Sequence, residues 1–75
     1  MNKEIIFELL DDAVMCAEVE CKAINPKKDF IYEVMNNFCD FYSEATGATE
    51  LQSQKVWESK EVQNLLRKML QLEPR

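Results

Sequence analysis

Histidine is absent from these 75 residues. That removes the commonest general base and the imidazole ligand that most zinc sites use. A single glycine, Gly47, leaves no Gly-rich phosphate loop, and the nucleophile elbow G-x-S-x-G is missing as well. With one glycine and two prolines the chain has little turn chemistry, which disfavours a many-turned sheet and favours helices. No apolar run approaches the roughly 20 residues of a membrane span. The opening MNKEIIFELLDD places acids where a secretory signal needs an apolar core. Cysteine is scarce: Cys16, Cys21 and Cys39 are odd in number and lack C-x-x-C spacing, so they read as reduced thiols. A soluble, cytoplasmic chain is the expectation.

Cations are few too. The net charge is −5, and it is unevenly spread. Residues 1–46 carry four Lys/Arg against ten Asp/Glu, a net −6, whereas residues 47–75 carry five against four, a net +1. Phosphate contacts need a cationic footprint, so nucleic acid is a poor partner, as is an anionic membrane surface.

What is present reads as one small helical domain. Apolar residues make up 47% and charged residues 31%, which is globular rather than disordered. A chain of this mass buries only roughly 60% of its unfolded surface, so its stability is marginal. On a wheel of about 100° per residue, Phe7, Leu10, Val14, Ala17, Cys21 and Ile24 share a seam. Ile6, Leu9, Ala13 and Cys16 run beside it and widen the apolar arc to about 200°. The spacing predicts a helix over 3–24 with two packing neighbours.

Asn25-Pro26 ends that helix, because proline disfavours a helical residue before it but suits the first position of the next helix, which Asn25 can cap. The second helix is predicted over 26–45. Its apolar arc holds Phe30, Ile31, Val34, Met35, Phe38, Phe41, Tyr42 and Ala45, and Gly47 stops it. Farther on, Val62, Leu65, Leu66, Met69, Leu70 and Leu72 form a stripe for a helix over 60–72. Extended backward, that helix would throw Val56 and Trp57 onto its polar side. Thr49 with Gln52 makes a capping box for a separate short helix near 50–57, and Ser59 can cap the next. Two helices are therefore expected, with Trp57 folded back as a lid on the bundle's end; on one continuous helix it would be an anchor for a partner. The fold class is all-α, a small three- to four-helix bundle, with Leu10, Val14, Phe38 and Leu65 in its core.

The residues that might carry chemistry are few. Cys39 has no histidine to activate it, and all three cysteines are expected to be small buried apolar groups. Glu4, Glu8, Asp11, Asp12 and Glu18 lie opposite the first helix's apolar arc, where they read first as a solvated helix face and next as a negative patch for a basic partner, rather than as the inward carboxylate site of a metal-binding bundle. Neither a metal nor a cofactor is expected, nor an enzyme. Met15 and Val19 interrupt this acidic face and resemble the apolar centre of a charged-rimmed binding patch. A helix-turn-helix around Gly47 tolerates Ser43 four residues before it, but expects an apolar residue where Ser53 stands six after it.

The expected function is a small interaction module, a regulator or inhibitor that occupies a basic protein surface. The contacts would be Glu4, Glu8, Asp11, Asp12, Met15, Glu18 and Val19, with Val56 and Trp57 as a second patch. The alternative is a self-associating bundle that buries its apolar surplus in a homodimer. In kind only, small acidic chains without catalytic groups resemble phage inhibitors of host enzymes and nucleases, some of which mimic nucleic-acid charge.

Overall fold

The computed structural model describes residues 3–24 and 29–72 and contains four α-helices: α1 Lys3–Val19, α2 Phe30–Thr46, α3 Glu50–Trp57 and α4 Lys60–Leu72. No strand occurs among the described residues. The core forms where α1 packs on α2, α3 packs on α2, and α4 packs on α1 and α3. It contains Ile6, Leu10, Val14 and Ala17 of α1, Val34, Phe38 and Tyr42 of α2, Trp57 of α3, and Val62 and Leu66 of α4.

The ends of the helices follow local rules. Asp29, in extended conformation, caps α2 by accepting a hydrogen bond from the Tyr32 amide at 3.1 Å. Helix α2 therefore starts at Phe30, four residues later than the Pro26 start read from the sequence; the Asn25-Pro26 break lies outside the described residues. At its other end Gly47 adopts φ +75°, and its amide donates to the Ser43 carbonyl at 2.8 Å. No atom lies within 4 Å of where a Cβ would stand on Gly47. Gly47→Ala is thus a purely conformational change, expected to cost about 1 kcal/mol, and Gly47→Asn less. Chemical denaturation of both variants measures the difference.

Two corners then set α3 and α4. Thr49 Oγ1 accepts from the Gln52 amide at 3.2 Å while Gln52 Oε1 accepts from the Thr49 amide at 2.9 Å, the capping box expected from T-x-x-Q. Ser59 Oγ accepts from the Val62 amide at 3.4 Å and donates to the Val56 carbonyl at 2.6 Å, which closes the second corner. The segment is two helices. The break turns Trp57 inward, where it is 7% exposed, with its ring centroid 5.8 Å from that of Phe38. Trp57 is a lid on the core.

Several expectations are corrected. The first helix is not α throughout: its last five described residues, Glu20–Ile24, form a π-helical turn. That wider i→i+5 turn takes Cys21 off the α wheel, and Cys21 is only half-buried. Phe7, placed on the core seam, is 47% exposed, and Leu65, placed in the core, is half-buried at its edge, because α4 meets α1 along one side only and leaves a groove there. Cys16 is exposed rather than buried, since the covered part of α1 is narrower than its apolar arc.

Ser53 is a different kind of surprise. It is fully buried, its Oγ lying 2.9 Å from Ser43 Oγ and donating to the Thr49 carbonyl at 3.0 Å. A hydroxyl that finds partners can fill a position that otherwise calls for an apolar group. Asn37 belongs to the same class: its Nδ2 donates to the Ala13 carbonyl at 3.3 Å and ties α2 to α1.

Candidate functional site

On α1 the covered residues, Ile6, Leu10, Ala13, Val14 and Ala17, recur at helical spacing, so the opposite side must face outward. Glu8, Asp12, Met15 and Val19 follow one another at intervals of four, three and four residues on that side, and all four are exposed. Met15 is 58% and Val19 59% exposed, the highest values on α1 among its large apolar side chains. From Glu8 to Val19 the row is about 17 Å long at helical rise. Glu4 is exposed near its start, while Asp11 and Glu18 sit on the flank, half-covered. Glu18 is 3.7 Å from Lys22 Nζ, a surface ion pair of little energetic weight.

The structure therefore brings seven of the expected contacts together on α1: Glu4, Glu8, Asp11, Asp12, Met15, Glu18 and Val19. Val56 and Trp57 are not part of this face. They belong to α3, which packs on α2 and α4; Val56 is half-buried and Trp57 is in the core. Ile5, 43% exposed, is an apolar group that the sequence reading left unassigned. Its azimuth, three residues before Glu8 and seven before Asp12, was the available signal. Asp12 also borders a shallow 340 Å³ depression with the half-buried Leu9 and Phe41, so the acidic row has apolar ground beside it.

A second concavity lies between α1 and α4, with a volume of about 720 Å³. Its apolar members are Phe7 and Leu65. Lys3, Glu4 and Glu8 border it from α1, and Glu61, Asn64 and Lys68 from α4. Periodicity could not reveal it, because a wheel reports direction and not the distance to a neighbouring helix.

Burial pushes the Cys39 thiol above its usual range, and the Glu50 carboxylate adds to the effect, so Cys39 holds its proton more tightly than an ordinary cysteine. Among the described residues no group of three His, Cys, Asp or Glu side chains is placed to hold a metal ion. Among the same residues no helix is long and apolar enough to cross a membrane. At the α2–Gly47–α3 corner, the exposed charges on and just after α3 are Glu50, Lys55 and Glu58, two acids to one cation, which is the wrong balance for phosphate contacts. No protein-family model matches the chain, and no curated protein or solved structure does so either.

Proposed function

We propose that this chain works by binding a protein with a basic surface, using the outer face of α1. The observation that carries the reading is the exposure of Met15 and Val19, 58% and 59%, in one row with Glu8 and Asp12. Apolar groups set among like charges have the composition of a patch whose centre is covered by a partner and whose rim stays wet.

The two kinds of group have separate tasks. Covering Met15 and Val19 supplies about 1–2 kcal/mol each, so the anchor is modest. The acids act at longer range: a one-signed field of net −6 over residues 1–46 speeds encounter with a basic surface more than it tightens the final complex. Occupying a partner's surface in this way makes the chain a regulator or inhibitor without chemistry of its own.

Charge reversal tests the assignment. Glu8→Lys, Asp11→Lys and Asp12→Lys together change the charge by six, from −5 to +1. A pull-down from native cells with the unaltered chain identifies the bound protein. The triple variant should then associate with it at least about tenfold more slowly at low salt, and with a weaker salt dependence. Its circular dichroism should stay native. A partner that binds the reversed chain equally fast at low salt would show the acidic face to be merely solvated.

A further inference from the structure

The shallow 340 Å³ depression beside Asp12 has walls from two helices: Leu9 and Asp12 come from α1, and Phe41, Glu44 and Ala45 from α2. Its apolar ground is only partly covered, since Leu9 and Phe41 are half-buried, and one acid stands exposed on each wall. Among the described residues no cation borders it, so the rim is of one sign. Among the same residues the Asp12 and Glu44 carboxylates have neither a hydrogen-bond nor an ion-pair partner.

These features select the chemistry of an occupant by elimination. A purely apolar side chain seated here would strip water from two carboxylates and return no hydrogen bond. A metal ion would find only those two carboxylates, since no third such ligand is gathered with them among the described residues. What fits is a side chain with an apolar stem and a cationic head. Arginine meets this better than lysine. Its planar guanidinium stacks on a phenyl ring and presents its donors in a rigid fork, whereas the lysine ammonium is a strongly hydrated point charge. We infer that the α1–α2 depression is a seat for one arginine side chain, with its stem on Leu9 and Phe41 and its guanidinium between Asp12 and Glu44. That the basic partner presents this arginine rests on the function proposed above, to which it adds a residue type and a second helix. Asp12 also stands in the outer row of α1, with Met15 about 4.5 Å farther along the axis, so one partner reaches both. Arginine is among the residue types that carry most binding energy at interfaces.

Nuclear magnetic resonance of the isotope-labelled full chain reads the seat without the partner. The probe is acetyl-arginine methylamide, compared at equal ionic strength with its lysine and citrulline counterparts; citrulline keeps the shape of arginine without the charge. Arginine should shift the amides of Leu9, Asp12, Phe41, Glu44 and Ala45 saturably, with a Kd on the order of 10 mM. Lysine should bind at least about threefold more weakly, and citrulline at least about tenfold. Asp12→Asn combined with Glu44→Gln should weaken arginine at least about tenfold. Asp40→Asn combined with Glu58→Gln removes the same charge from exposed positions outside the depression and should not. Circular dichroism confirms that each variant is folded, and the three probes on the unaltered chain decide the matter if one is not. Equal binding of lysine or citrulline overturns the inference, as do shifts that fail to saturate or that spread evenly over the acids of α1. With the bound protein in hand, Glu44→Gln alone should raise the dissociation rate at least about threefold, because Glu44 lies on α2, outside the outer row. A partner slowed by the triple charge reversal yet indifferent to Glu44→Gln leaves the outer face standing and overturns the assignment of its arginine to this seat. An arginine probe that seats here beside a partner indifferent to the triple reversal upholds the seat and sinks the proposed function, so the two fail separately.

Discussion

Phe38→Ala should lower the melting temperature by roughly 15–30 °C, the largest single effect expected in this chain. Phe38 is fully buried, and its ring lies 5.8 Å from both Tyr42, stacked at 24°, and Trp57, tilted at 47°. Truncating such a ring removes its transfer free energy and leaves a cavity, together about 3–5 kcal/mol. At about 0.05–0.15 kcal/mol per residue, a chain of 75 residues has about 4–11 kcal/mol of total stability. The substitution therefore takes between about a quarter and all of it. Ile31→Ala is the control: Ile31 is on the same helix and the same apolar arc but 44% exposed, and its loss should cost under about 1.5 kcal/mol. A melting curve unchanged by Phe38→Ala would mean that α2 presents another face to the core.

Trp57→Ala comes next, at a similar 3–5 kcal/mol. Trp57 closes the end of the core at 7% exposure, and its carbonyl accepts a hydrogen bond from Gln63 Nε2 at 2.7 Å, which fastens the end of α3 to α4. The indole should fluoresce at short wavelength in the folded chain and shift red on unfolding, since Trp57 is the only tryptophan. Trp57→Phe should recover much of the loss by refilling the space. Because Phe38 and Trp57 touch, the double alanine variant should lose less than the two single losses added, by about 0.5–1.5 kcal/mol. The outcome that would return Trp57 to the role of partner anchor is specific: Trp57→Ala with an unaltered melting temperature and a faster dissociation from the bound protein.

Much of the architecture was legible in the sequence because it depends on neighbours along the chain. The capping box of Thr49 and Gln52, the positive-φ stop at Gly47 and the Ser59 corner each need only three or four consecutive residues to satisfy orphan backbone groups. They settle the α3 and α4 boundaries, Glu50–Trp57 and Lys60–Leu72, and with them the break that turns Trp57 inward. The outer row of α1 was legible for the same reason: once one side of a helix is covered, residues half a turn away have nowhere else to face.

Coverage was a tertiary decision. Phe7, Cys16 and Leu65 all lie on apolar arcs, yet none is fully buried, because an arc gives the direction of a side chain and says nothing about how near the next helix comes. Helix α4 approaches α1 on one side and stands off beside Phe7, and that separation alone creates the groove. Ser53 and Asn37 show the converse: polar side chains are buried or half-buried because Ser43 and the Ala13 carbonyl, ten and 24 residues away, are there to receive them. The sequence by itself thus determined that four segments form helices, where α2 stops and α3 and α4 begin, and which way the acidic row of α1 points, since these follow from bonds and periodicity within a few turns. Which apolar side chains are covered, which polar ones are satisfied inside, and where an open groove is left depend on distances between helices, and those exist only once the four have packed.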